Sequence, residues 1–142
     1  MVNPVKALVI DGQGGGIGRQ IIESIKKTYP DVDVTAVGTN VLATQAMIKA
    51  GANQAATGEN AVIVNCRTAD VIIGPIGIVI ADSLLGEITP RIAVAVAQSS
   101  AERILLPMNL CSNYIAGYTQ INTSKLIEDC LARIGQVMLR NR

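Results

Sequence analysis

Between residues 11 and 19 the chain places five glycines in seven positions: Gly12-Gln13-Gly14-Gly15-Gly16-Ile17-Gly18. An apolar run, Val5 to Ile10, precedes them and reads as a buried strand. Apolar residues at helical spacing follow: Ile17, Ile21, Ile22 and Ile25. So many glycines cost backbone entropy on folding, and a plain connection would not need them. A strand, a glycine-rich turn and a helix in that order instead make an anion site. The backbone comes close to the ligand, and the helix N-terminus offers unpaired N–H groups and the positive end of its dipole.

The strict G-x-G-x-x-G fingerprint fails when counted from Gly12, because its last position is Ile17. The spacing G-x-x-x-G-I-G fits without a gap through Gly12, Gly16, Ile17 and Gly18. This resembles the cofactor loop of the short-chain dehydrogenases, and the resemblance is confined to the first part of the chain. It implies NAD or NADP as ligand, bound by Gly12, Gln13, Gly14, Gly15, Gly16, Ile17 and Gly18.

Beyond the loop, strand and helix signals alternate. Strands are expected at 5–10, 32–37, 53–56, 71–73 and 104–106, with a candidate sixth at 114–118. Helices are expected at about 16–28, 40–50, 59–67, 78–85, 90–98 and 124–139. Pro30 stops the first helix, Gly51 ends the second, and Thr89-Pro90 opens another with a capping hydroxyl and proline at the first helical position. The 59–67 segment is ambiguous, since Val62-Ile63-Val64 favours a strand while the crossover requires a helix.

This alternation predicts an α/β fold, a three-layer, doubly wound (Rossmann-like) parallel sheet, formed as one domain over residues 1–142. In such folds ligands bind at the carboxyl ends of the strands where strand order reverses, here between the first and fourth strands. A second glycine turn, Gly74-Pro75-Ile76-Gly77, would then face the first across the crevice. A plain turn accounts for it equally well.

Composition narrows the function classes. Hydrophobic residues are 49% and charged residues 16% of the chain, too apolar for disorder and too sparsely charged to cover a monomer easily. A homo-oligomer is therefore expected, through the helix at 78–85 and the C-terminal helix. A net charge of +1 gives no electrostatic case for nucleic acid, and three tyrosines are the only aromatic residues on which bases could stack. The apolar stretch 71–81 is too short to span a bilayer and holds Gly74, Pro75 and Gly77, so no membrane partner is expected. Cys66, Cys111 and Cys130 are odd in number and widely spaced, which fits neither a disulfide framework nor a zinc site. Reduced cysteines and a start that leads straight into a strand point to the cytoplasm.

An NAD site places Asp or Glu at the end of the second strand to hold the ribose hydroxyls. Gly38-Thr39-Asn40 stands there instead. Thr39, Asn40 and Arg19 could donate to a phosphorylated ribose, which puts NADP ahead of NAD. As a plain alternative, Arg19 is a solvated helix residue. Asp11, at the end of the first strand, would repel a pyrophosphate unless it caps backbone N–H groups. The loop has no Walker lysine, which disfavours hydrolysis of the P-loop kind.

A catalytic set is missing. The chain has no histidine, and Tyr114 and Tyr118 are followed four residues on by Tyr118 and Asn122, not by the lysine of the Tyr-x-x-x-Lys pair. Asp82, Glu87, Glu59 and Asn60 are polar residues in apolar surroundings and thus candidate site groups, although caps and solvated helix positions account for them too. Nothing nearby activates Cys66 or Cys111.

Over nearly its whole length, through Asp11–Gly18, Gly58–Ala61, Ile73–Ile78, Gly86–Pro90 and Ile104–Asn109, the chain resembles a small uncharacterised bacterial domain family. That resemblance implies a Rossmann-like fold and no reaction. Three readings remain: a stand-alone nucleotide-binding sensor or regulatory module, a small NADP-dependent oxidoreductase completed at an oligomer interface with Tyr114, Tyr118 or Glu59 as donors, and a structural protein with a vestigial loop.

Overall fold

The computed structural model describes residues 3–108, 110 and 112–141. Five parallel strands form one sheet: β1 (Lys6–Asp11), β2 (Asp33–Gly38), β3 (Gln54–Thr57), β4 (Val71–Pro75) and β5 (Glu102–Leu106). Their order is β3-β2-β1-β4-β5, so β1 lies between β2 and β4 and strand order reverses at the β1/β4 boundary. The expected doubly wound α/β architecture is present.

Side chains alternate between the two faces of the sheet, as the pleat requires. Ala7, Val9, Val34, Ala36, Val71 and Ile73 meet one helical layer, formed by α1 (Gly16–Thr28), α2 (Val41–Lys49) and α5 (Thr123–Arg140). Leu8, Ile10, Val37 and Ile72 meet the other, formed by α3 (Glu59–Asn65), α4 (Pro90–Gln98) and the segment after β4. Because both faces are covered, the strands read as continuous apolar runs.

Each helix follows from local sequence. Ile21, Ile22 and Ile25 put one buried stripe of α1 against the sheet, and burying each is worth about 1.5–3 kcal/mol. Asn40, Thr89 and Asn122 cap α2, α4 and α5 by accepting the N–H groups of Ala43, Ile92 and Lys125. The crossover requirement prevails over the β-branched run in α3, of which Val62 is the buried residue. In α5, Ile127, Cys130, Ile134 and Val137 pack on the α1 side of the sheet, where the Tyr29 hydroxyl donates to the Leu131 carbonyl at 3.1 Å.

Two expected elements are replaced. No helix spans 78–85: a single 3₁₀ turn, Ile76–Val79, is followed by a compact loop. Asp82, Leu84 and Leu85 have positive φ (67°, 54° and 56°), and a right-handed helix cannot pass through that conformation. The loop closes on itself through Asp82 N–H to the Ile88 carbonyl (2.7 Å) and Ile88 N–H to the Ser83 carbonyl (3.2 Å). Leu84 and Ile88 are buried while Leu85 stands 95% exposed, so apolar content here reflects two anchors rather than a helical stripe.

The candidate sixth strand is also absent. Residues 114–118 form turn and irregular backbone, with Gly117 at φ 81° and Tyr118 N–H on the Ile115 carbonyl. Both surfaces proposed for self-association change in consequence. The 78–85 helix does not exist, and the apolar stripe of α5 is used inside the fold.

Candidate functional site

The carboxyl ends of β1, β2 and β4 converge at the order reversal, where such sheets hold their ligands. At the end of β1, Asp11 is buried and accepts two backbone N–H groups, Gly12 at 2.8 Å and Gly18 at 2.7 Å. It thereby caps the first turn of α1 from inside. Burial pushes its carboxyl above the ordinary 3.8, against the lowering by these two bonds, and the nearby charge of Glu87 adds to the rise.

The loop glycines divide into two groups by what a side chain would meet. A Cβ on Gly12 would come within 2.7 Å of the Thr39 hydroxyl, and one on Gly18 within 2.6 Å of Met47 Sδ. Gly15, at φ 74°, would meet the Ala43 Cα at 2.7 Å, so only glycine lets the loop lie on α2. Gly14 and Gly16 differ: apart from adjacent residues and the helix's own backbone, no atom among the described residues lies within 4 Å of a Cβ placed on either. Internal packing therefore demands glycine at three of the five positions and leaves two facing open space.

The same loop has spare donors. Gly15 N–H is used by the Gly12 carbonyl and Gly18 N–H by Asp11. Among the described residues, the N–H groups of Gly14, Gly16 and Ile17 have no acceptor. All three lie at or before the first turn of a 13-residue helix. Gln13 N–H, by contrast, is taken by both oxygens of Glu87 at 3.0 and 3.1 Å.

Glu87 is the residue whose place the sequence does not reveal. It reaches in from the loop after β4 and accepts from the Thr39 hydroxyl and from Asn40 Nδ2 (2.8 Å). Asn40 Nδ2 also donates to the Gln13 carbonyl at 2.9 Å. The end of β2 thus does have a carboxylate, supplied by another segment, and the expectation that none is available there is corrected. Partial burial opposes ionisation of Glu87, yet the bonds from Thr39, Asn40 and Gln13 outweigh it and hold the carboxyl below its ordinary range. Its apolar surroundings mark it as a candidate group in the sequence, but nothing local pairs it with Gln13, 74 residues away.

Arg19 turns along α1 to pair with Glu23 at 3.0 Å and makes no hydrogen bond to Thr39 or Asn40. The second glycine turn reaches the same edge for internal reasons. Gly74 and Pro75 are the last buried residues of β4, and a Cβ on Gly74 would strike the Ile10 carbonyl oxygen at 2.4 Å. Gly77 is buried and its carbonyl accepts the Ser83 hydroxyl, while Ile76 is partly exposed.

The other chemical candidates are dispersed. Glu59 accepts from the Thr89 hydroxyl at 2.6 Å and lies 3.8 Å from Arg91, which ties α3 to α4. Tyr114 is 87% exposed. Cys66 and Cys130 are buried, which pushes their thiols up to about 11 and about 12 and keeps them protonated at neutral pH. Cys111 and Asn109 lie outside the described residues. Among the described residues, no helix is long and apolar enough to cross a membrane.

Residues 6–139 match the family model described as Domain of unknown function (DUF3842), and the chain belongs to that family. No curated protein matches it. Among solved structures, a dodecameric FMN-dependent Ubix-like decarboxylase from Escherichia coli O157:H7 is similar at 20% sequence identity and a TM-score of 0.44, over 92% of this chain and 76% of that one.

Proposed function

We propose that this member of the DUF3842 family binds a phosphate-bearing nucleotide of the NAD or NADP kind. The site is the β1/β4 switch point, and the chain acts as a stand-alone sensor or regulatory module. One observation carries the reading: Gly14 and Gly16 face open space, beside three backbone N–H groups without acceptors at the start of α1. Glycine at those two positions serves no internal contact, while it lets a phosphate approach the backbone and take the free donors. Asp11 fits this arrangement because its charge is turned inward on Gly12 and Gly18 and does not line the phosphate path.

A binding role is supported by how several of the reactive groups are spent. Glu59 serves an interhelical contact, and the two described cysteines are protonated. Exposed Val41, Leu42 and Ile48 on α2 support assembly with further copies of the chain.

Calorimetric titration with NAD, NADP, FAD, ATP and CoA tests the proposal. Binding of at least one below millimolar concentration is expected. Absence of binding to all five would overturn it.

A further inference from the structure

Resting on that reading of the site, we propose that Glu87 selects the nucleotide: its carboxylate accepts the free 2′-hydroxyl of a ribose and rejects a ribose that carries a phosphate there. The expectation from sequence runs the other way, toward NADP, because Gly38-Thr39-Asn40 contains no acid.

Three observations support the proposal. First, the carboxylate sits where a dinucleotide site needs one. It bridges the end of β2, through Thr39 and Asn40, to the loop after β1, through Gln13 N–H. Ribose recognition in this architecture is a carboxylate at the end of the second strand, accepting from the 2′-hydroxyl.

Second, its geometry is preset and leaves acceptor capacity. Oε2 takes Thr39, Asn40 and Gln13, whereas Oε1 takes only the Gln13 N–H among the described residues. A carboxylate oxygen has room for a further donor. The side chain lies close over the loop, since a Cβ on Gly12 would be 3.2 Å from Oε2.

Third, the local charge disfavours a phosphate at this point. Glu87 is held ionised and Asp11 is near enough for the two charges to interact. The one cation expected to offset them, Arg19, is paired with Glu23. A phosphate would meet a carboxylate with no proton to share, while a free 2′-hydroxyl offers a donor for the open position on Oε1. The same network thus excludes one ligand and recognises the other.

The test titrates wild type and Glu87→Gln with NAD, NADP and the 2′-deoxyadenosine analogue of NAD. Wild type is expected to bind NAD at least tenfold more tightly than NADP, and to lose at least fivefold when the 2′-hydroxyl is removed. In Glu87→Gln the NAD/NADP ratio is expected to fall to near one. The wild-type ligand comparison needs no variant and stands even if the substitution disturbs the loop. Equal affinities or an NADP preference in wild type, with binding intact, would overturn the role of Glu87 alone. So would tighter binding of both nucleotides by Glu87→Gln, which would make the side chain a plug. Failure of wild type to bind any of the three would overturn the site itself.

Discussion

Both carboxylate oxygens of Glu87 point at one backbone N–H, that of Gln13, at 3.0 and 3.1 Å. Gln13 has a left-handed backbone (φ 51°), and so do Leu84 and Leu85 just before Glu87. Two turns that each hold uncommon conformations are therefore joined by one side chain, across the boundary where strand order reverses.

Glu87→Ala releases that junction. Thr39, Asn40 and Gln13 are partly or fully exposed and turn to water, so the cost should be modest, about 1–2 kcal/mol. Hydrogen exchange reads the change directly. The Gln13 amide should lose most of its protection while amides in β1 keep theirs. Unchanged protection at Gln13 would mean that the carboxylate is not what holds the loop.

The loop glycines should separate into two classes on substitution. Gly16→Ala adds a methyl where nothing lies within 4 Å, so stability should hold or rise by up to about 1 kcal/mol from reduced chain entropy. Gly18→Ala drives a methyl to 2.6 Å from Met47 Sδ and 3.0 Å from Asp11 Cβ, and should cost about 1–3 kcal/mol by overpacking. Urea unfolding of both variants checks the contrast, and equal losses would contradict the division.

Acid stability should depend on Glu102, which opens β5. It accepts from Arg133, through Nε and from Nη2 at 2.9 Å, and from Arg140 Nη2 at 2.7 Å, both on α5. These bonds hold its carboxyl down at about 2, against the ordinary 4.5. A depressed folded-state pKa gives stability that is complete above the unfolded value and lost as pH falls through the folded one. Wild type should therefore lose stability relative to Glu102→Gln between about pH 4.5 and pH 2, as measured by denaturant unfolding at stepped pH. Parallel pH profiles for the two proteins would refute the contribution.

Local punctuation made much of this fold legible from sequence. The expected bounds of the first helix, 16–28, coincide with α1, because glycines open it and Pro30 lies just beyond its end. Thr89-Pro90 marked α4 for the same kind of reason. The 78–85 segment departs from the expected helix because apolar composition does not distinguish a stripe from two isolated anchors. Left-handed backbone at Asp82, Leu84 and Leu85 has no signature in residue type. In the site, Asp11 as an internal cap was foreseeable, since it sits between a strand and a glycine loop. The contact of Glu87 with Thr39 was not, for it joins residues 48 apart that meet only after the sheet assembles.

Chemical-shift mapping of the backbone amides during titration with ADP-ribose tests the central claim most directly. The account predicts the largest changes at Gly14, Gly16 and Ile17, whose N–H groups have no acceptor among the described residues, with smaller ones at Gln13 and Thr39. Saturable shifts confined to other surfaces, with these three amides unmoved, would contradict it.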